Sequence, residues 1–424
     1  MQASPVKACE AAYQGQSAAR RRVVEVILYC ARASVGAPLA GVNPPDLTSE
    51  MDWALLTDLA AKHHMVPLVY RELCKLLPDA EGHAGLQNLA MAYLGIKRRN
   101  CDLTAELLQV LNLFQQHKIP AIPIKGPTLA VSAFGDVFSR QFGDLDLLLR
   151  LKDMPLAREL IKERGYRPEF PINPATERAY IRLEHSFPFV RTRDKLAVEL
   201  HWRLQDRYMR FAFSDGDLWS GACHAELLGR DVLSLSPEHL FLFLCMHGAK
   251  HHWEKLEWIC CLPALMRRNP GLRWASVIDM ARRLRGVRIL HLGLLLAHQL
   301  EGTELTRKPL SLLKTDRIAE DLAATVWRNL FRRLDSTQRE PYRFRFCLKA
   351  REKLRDRLGI VLLMSFRLPH PESSVWKRVH LPAPLLPLHY ILGPLRKLKR
   401  YGLRGLSGLI NPKKMSLHSH HRDR

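Results

Sequence analysis

The chain has 424 residues and a mass of 48.7 kDa, which is long enough to bury more than one hydrophobic core. Hydrophobic residues make up 47% of it and charged residues 25%, a composition that excludes wholesale disorder. The formal charge of +23 predicts contact with polyanions such as nucleotides, nucleic acid or an anionic membrane surface. Residues 311–424 hold 25 Lys and Arg against 9 Asp and Glu, so most of this excess lies in the last quarter of the chain.

Residues 1–100 form the first predicted region, and it is helical. Apolar residues recur at helical spacing over 18–30, after residue 51, over 84–99 and again over 102–117, which crosses into the next region. The predicted secondary structure changes over 101–230, where strands at 119–125 and 144–150 alternate with helices at 128–134 and 153–164. Two further strands, 186–191 and 196–202, read as a hairpin, so this region is predicted to be a small α/β module.

Two more regions follow the α/β module. Residues 231–310 are predicted to be a helical domain, and 311–424 a basic region of helices and Pro-rich sequence. The predicted fold class is therefore α+β, with a small mixed sheet flanked by N-terminal and C-terminal helical regions. Nine cysteines without a CxxC pair are typical of a reduced, cytoplasmic protein.

Membrane contact is predicted to be peripheral at most. No apolar run reaches the roughly 20 residues that span a bilayer, and the apolar stretch 381–395 contains four prolines. The basic segment after it leaves open contact with an anionic membrane or another polyanion. The alternative is an extended Pro-rich segment packed on the protein, with a solvated basic end.

The sharpest chemical feature is the sequence Asp144-Leu145-Asp146 at the start of an apolar strand. Residues i and i+2 of a strand point to the same face, so both carboxylates should project together. Glu199 lies in the later strand, which can pair beside the first. Three converging carboxylates suit Mg²⁺, which prefers oxygen ligands and substrate phosphates.

A turn upstream of these acids suggests a phosphate site. Lys125 and Gly126 stand between a strand and a helix, where backbone N–H groups attract phosphate and glycine permits close approach. Arg140 and Lys125 can add cationic contacts to phosphate. By strand alternation His201 shares the face of Glu199, within reach of substrate or acid, while Trp202 faces the core.

Three stretches together resemble the uncharacterised nucleotidyltransferase family of the DNA polymerase β superfamily. They read IPIKGPTLAVSAFGDVFSRQFGDLDLLL, ERGY and VELHWRL, and the similarity extends over roughly residues 50–300. The resemblance implies transfer of a nucleoside monophosphate from an NTP to a hydroxyl acceptor, with Mg²⁺ or Mn²⁺. It implies catalytic, metal-binding roles for Asp144, Asp146 and Glu199, and it places Lys125 and Gly126 in the turn that binds the nucleotide phosphates. The predicted nucleotide-binding set also includes Thr128, Arg140 and His201.

The sequence departs from the family pattern at three positions. Pro127 follows Gly126 where serine is usual, Glu199 replaces the usual third aspartate, and Cys261 takes the place of an aspartate in a later helix. These departures keep open a catalytically inactive protein that binds or scaffolds. A sugar-nucleotide glycosyltransferase, which also uses a DxD pair, and a basic adaptor for nucleic acid or membrane are further alternatives. His247 and His251 have metal-binding spacing on a helix but are predicted to pack structurally.

Overall fold

A computed structural model describes residues 17–39, 42–47, 51–77, 83–170, 174–205 and 213–365. The Pro-rich apolar stretch 381–395 and the basic segment after it lie outside the described residues. Four α-helices precede the sheet within the described residues: α1 (Ala18–Ser34), α2 (Trp53–Lys62), α3 (Val66–Leu76) and α4 (Gln87–Gln116). Side chains of Ser17 and Asp52 cap the first two by accepting from backbone N–H groups in their first turns.

Helix α4 is a single helix of 30 residues where two were predicted, so the predicted break near residue 100 is wrong. An asparagine normally competes with helical hydrogen bonds through its own side chain. The amide of Asn100 instead donates to the carbonyls of Val137 and Arg140, each at 2.7 Å. The Asn100 side chain therefore bonds to residues outside the helix and does not compete for the helical hydrogen bonds, so the helix continues through residue 100.

A five-stranded mixed sheet follows, in the order β1-β2-β5-β4-β3. Strands β2 and β5 are parallel, and the other neighbours are antiparallel. The predicted hairpin is confirmed as β4 and β5. The elements are β1 (Ala121–Pro123), α5 (Pro127–Phe134), β2 (Asp144–Leu149), α6 (Met154–Glu163), β3 (Tyr166–Pro168), α7 (Pro174–Leu183), β4 (Ser186–Arg191) and β5 (Ala197–His201).

The remaining described residues are mostly helical. A two-stranded antiparallel sheet, which the sequence pattern did not reveal, lies between the first two of these helices. The elements are α8 (Asp215–Ser220), β6 (Cys223–Leu227), β7 (Arg230–Ser234), α9 (Pro237–Lys250), α10 (Leu256–Arg268), α11 (Trp274–Arg283), α12 (Val287–Glu301), α13 (Glu304–Ser311), α14 (Arg317–Leu330), α15 (Ser336–Lys349) and α16 (Leu354–Ser365). Together with the mixed sheet, these helices confirm the α+β class.

Two hydrophobic cores lie on the two faces of the mixed sheet. Leu145 and Leu147 of β2 pack into one core, with α4 and α6. Leu148, on the opposite face of the strand, belongs to a larger core shared by α1–α3 and α9–α12. Helices from both ends of the chain therefore cover the face on which Asp144 and Asp146 begin β2. The boundaries at residues 100, 230 and 310 stay predictions, because this shared packing does not mark them.

Within the described residues, every helix is too short or too polar to traverse the hydrocarbon layer of a membrane.

Candidate active site

The acidic residues meet where β2 and β5 run side by side. The parallel register sets Asp146 opposite Glu199 and Leu148 opposite His201. Alternation along β5 puts Glu199 and His201 on the same face, as predicted from the sequence. One oxygen or nitrogen from each of Asp146, Glu199 and His201 lies within 4.8 Å of the others. Asp144 begins β2 on the same face but stands outside that close group.

Two cationic side chains enclose Asp146, which is 3% exposed. Lys125 Nζ lies 2.8 Å from Asp146 Oδ2. On the other side, His201 Nε2 donates to Asp146 Oδ1 at 2.9 Å and lies 3.3 Å from Glu199 Oε2. Ser186 of β4 donates its hydroxyl to the same Glu199 oxygen at 3.2 Å. The carboxylates are therefore held as ions by an ammonium, an imidazolium and a hydroxyl.

The pKa shifts follow from this arrangement. Burial disfavours the charged form of His201, yet hydrogen bonds to Asp146 and Glu199 outweigh it and raise the His201 pKa to about 9. Burial likewise opposes ionisation of Asp146, but Lys125 and His201 hold its pKa below the usual value. The charge of Asp146 raises the pKa of Asp144. Negative charge is thus incompletely compensated at Asp144, where a cation would be favourable.

The turn before α5 is built around a glycine. Gly126 has φ +66°, a conformation that L residues with a Cβ rarely adopt, and it directs the chain from β1 into the helix. Pro127 occupies the first position of α5, which needs no N–H donor for the helix itself. The hydroxyl of Thr128 donates to the Lys125 carbonyl at 3.0 Å, so this side chain fastens the turn. The turn holds Lys125 beside Asp146.

Arg140 is bound on the helical side of the site. Its guanidinium forms a buried ion pair with Glu257 of α10, whose side chain is fully buried. Cys261, one turn further along α10, donates its thiol to the same carboxylate at 3.1 Å. Glu257 therefore supplies an acid one turn before Cys261. A nucleotide-binding role for Arg140 and Thr128 stays a prediction.

Several side chains from α9, α10 and the loop between them surround the site. The rings of His247 and His251 lie 4.7 Å apart, and each is 5.3 Å from the ring of Trp258. Burial is the main cause that lowers the pKa of both histidines, and Lys125 adds to it. This agrees with the structural packing that the sequence favoured, and it places neutral rings beside Lys125. The role of Ser186 was missed, since one serine in a strand carries no distinguishing signal.

The residues fit a hard divalent cation on chemical grounds. Asp146 Oδ2 makes no well-formed hydrogen bond to any described residue, although the Lys125 ammonium lies near it. Carboxylate oxygens from Asp144, Asp146 and Glu199 are the donors that Mg²⁺ prefers, and the imidazole of His201 would also suit Mn²⁺. The donor set is therefore compatible with the predicted metal.

A small mixed sheet holds paired acids next to a Lys-Gly turn that opens a helix, an arrangement in which phosphate can bind at the helix N-terminus. The chain belongs to the family described as uncharacterised nucleotidyltransferase, whose model matches residues 49–302. The resemblance read from the sequence motifs is thereby confirmed, at nearly the same boundaries. No curated protein matches the chain.

Proposed function

We propose that the protein transfers a nucleoside monophosphate from an NTP to a hydroxyl acceptor in a reaction that requires Mg²⁺. One observation carries this proposal: Asp146 and Glu199 lie opposite each other on adjacent strands, and the Lys125 ammonium stands against Asp146. Family membership supports the nucleotidyl class over a glycosyltransferase. The acids and the cation are the groups that phosphoryl-type transfer uses for positioning and charge stabilisation.

The residues of the site have different roles in the proposed reaction. Lys125 neutralises phosphate oxygens, and the Gly126 turn lets the triphosphate approach the backbone. Glu199, ionised because His201 and Ser186 donate to it, accepts the proton of the acceptor hydroxyl. The hydroxyl oxygen then bonds to the α-phosphorus while the bond to pyrophosphate breaks, and pyrophosphate leaves with the bridging oxygen.

Asp144, Asp146 and Glu199 would hold the divalent metal. When bound, such a metal offsets phosphate charge and favours deprotonation of the attacking hydroxyl. Lys125 and His201 counter the charge of Asp146 in this structure.

The alternative of an inactive binding protein rests on Pro127 and on Glu199 in place of an aspartate. Against it, Glu199 reaches the same hydrogen-bonded cluster as Asp146 despite its extra methylene. The extra length is accommodated by Ser186 and His201, which fix the carboxylate from two strands.

The test is incubation of the full chain with cell extract, MgCl₂ and each of the four NTPs labelled at the α-phosphate. We expect Asp146→Asn to lower the label transferred to an acceptor by about 100-fold or more, since it removes a preorganised charge at the reacting phosphate. Thermal unfolding of the variant checks that it remains folded. The matched control is Asp102→Asn, which removes the same charge from an exposed position on α4.

Equal labelling by wild type and Asp146→Asn would contradict the proposed site. Titration of wild type with Mg²⁺ and each NTP distinguishes the inactive alternative. If no labelling occurs and no NTP produces binding heat, the chain is not a nucleotidyltransferase under these conditions and the binding-protein alternative replaces the proposal.

A further inference from the structure

A basic cavity lies between four segments of the helical part of the chain. It has a volume of about 270 Å³ and is bounded by the end of α2, the loop between α9 and α10, the end of α14 and the start of α15. It shares no residue with the group of Asp144, Asp146, Glu199 and Lys125. Five cationic side chains line it: Lys62, Lys255, Arg332, Arg333 and Arg339.

The positive charge of this cavity is not balanced by carboxylates. Glu254, the acid among the described lining residues, is engaged by Arg343, whose guanidinium nitrogens lie 3.0 and 3.1 Å from it. Lys62, Arg332 and Arg333 form no ion pair with any described residue. Burial first, and then repulsion from Arg20, Arg333 and Arg339, lower the pKa of Lys62, and the Asp58 carboxylate offsets only part of this effect. Cationic side chains gathered around one cavity create a positive potential that attracts an anion.

A buried hydrogen-bond donor borders the same cavity. Trp253 lines it and is fully buried, yet its indole N–H has no hydrogen-bond partner among the described residues. Buried polar groups are almost always satisfied, and the indole nitrogen can only donate. An acceptor bound at this wall of the cavity would satisfy it, and an acceptor that the five cations also attract carries negative charge.

We propose that this cavity binds a compact ligand bearing two or three phosphate groups. Guanidinium groups match phosphate oxygens with paired N–H donors, and Arg332, Arg333 and Arg339 supply three of them. The volume lies near the lower end of the roughly 300–1,000 Å³ found for small-molecule pockets, which favours a small ligand over a polymer. The site is independent of the proposed transfer reaction and stands even if the chain transfers no nucleotide.

Inorganic tripolyphosphate is the probe, titrated into the full chain by calorimetry in the absence of divalent metal. We expect the double variant Arg332→Gln/Arg333→Gln to bind it about tenfold more weakly, or worse, because charge-assisted hydrogen bonds are lost. The matched control is Arg230→Gln/Arg282→Gln, which removes the same charge from two exposed positions outside the cavity. The control double variant should bind like wild type.

A second readout reports on the cavity itself. In ¹⁵N-labelled protein, the indole N–H resonance of Trp253, assigned by its loss in Trp253→Phe, should move downfield on addition of tripolyphosphate. Equal affinities for the two double variants, or an unmoved Trp253 resonance at saturation, would overturn the proposal. So would a single-stranded RNA oligonucleotide that binds more tightly than tripolyphosphate and is weakened by the same Arg332/Arg333 variant, because the site would then serve a polymer.

Discussion

At the scale of single residues, Asp146 and His63 show two ways in which an ionisable group can be buried: with partners of opposite charge, or in its neutral form. Asp146 is nearly inaccessible and is opposed by Lys125 and His201. A lone carboxylate at that depth would cost several kcal/mol, which the two cations offset. His63, between α2 and α3, shows the second solution: it is fully buried, its ring lies 4.5 Å from Phe331, and it stays neutral.

His63 should make stability depend on pH. Burial first, and then nearby cations including Lys62, lower its pKa from 6.5 to about 3 in the folded protein. Below pH 6.5 the unfolded chain takes up a proton that the folded chain does not, so stability is full above pH 6.5 and falls as the pH drops towards 3. Between pH 8 and pH 5 this residue should cost wild type about 2 kcal/mol of unfolding free energy. Urea unfolding at both values measures it.

His63→Leu removes the titrating group while keeping an apolar side chain against Phe331. The variant should lose about 2 kcal/mol less stability than wild type over the same pH interval. His117→Leu is the control, because it makes the same replacement at an exposed histidine. An identical pH dependence for His63→Leu and wild type would show that burial of His63 has no thermodynamic consequence.

At the scale of elements, the turn between β1 and α5 places Lys125 in the site. The geometry of this turn depends on the positive φ of Gly126. The Thr128 hydroxyl stabilises the turn by donating a hydrogen bond to the Lys125 carbonyl. A Cβ on Gly126 would meet the Asp144 carbonyl oxygen at 3.5 Å, an ordinary contact. The need for glycine is therefore conformational and not a matter of space.

Gly126→Ala should lower the unfolding free energy by about 1–3 kcal/mol, the cost of forcing an L residue into this region of φ and ψ. NTP binding should weaken as well, since relief of the strain would move Lys125 away from Asp146. Gly95→Ala is the control: this glycine lies exposed within α4 with nothing near its added Cβ, and alanine there should stabilise by about 0.5–1 kcal/mol. Thermal and denaturant unfolding compare the two; equal effects of the same sign would refute the conformational argument.

At the scale of the whole molecule, one buried ion pair joins the segment before β2 to the helical bundle. Arg140 precedes the strand that carries the acids, and Glu257 belongs to α10, 117 residues further along the chain. The side-chain amide of Asn100 in α4 also donates a hydrogen bond to the Arg140 carbonyl. Three distant parts of the chain therefore converge at Arg140, which ties the sheet to the helices that cover its acidic face.

Removing one partner of the Arg140–Glu257 pair should lower the unfolding free energy far more than replacing both partners. Glu257→Gln should lower the unfolding free energy by about 3–5 kcal/mol, because the buried Arg140 charge is left uncompensated. The double variant Arg140→Met/Glu257→Leu should recover most of that loss, since neither charge remains buried. Asp279→Asn, which breaks the exposed pair with Arg283, should cost at most about 0.5 kcal/mol. Guanidinium unfolding of wild type and these three variants gives the comparison, and a double variant no more stable than Glu257→Gln would argue against this account of the pair.

Much of the site could be predicted because it depends on local rules. Alternation along β5 placed Glu199 and His201 on one face, and the Asp-Leu-Asp spacing placed two acids on the face of β2 that the helices cover. The Lys-Gly-Pro sequence marked a turn that opens a helix. Three short strands, β3, β6 and β7, were not predicted from the sequence. Strands of three to five residues carry little periodic signal.

The sequence by itself determined the α+β class, the family and the strand faces on which the acids lie, because these follow from patterns within a few residues of one another. Only the tertiary structure decided that Lys125 and His201 both close on Asp146, and that Arg140 pairs with Glu257. It alone assembled the basic cavity from four separate segments. Contacts between residues this distant depend on how whole helices and sheets pack, which no local pattern encodes.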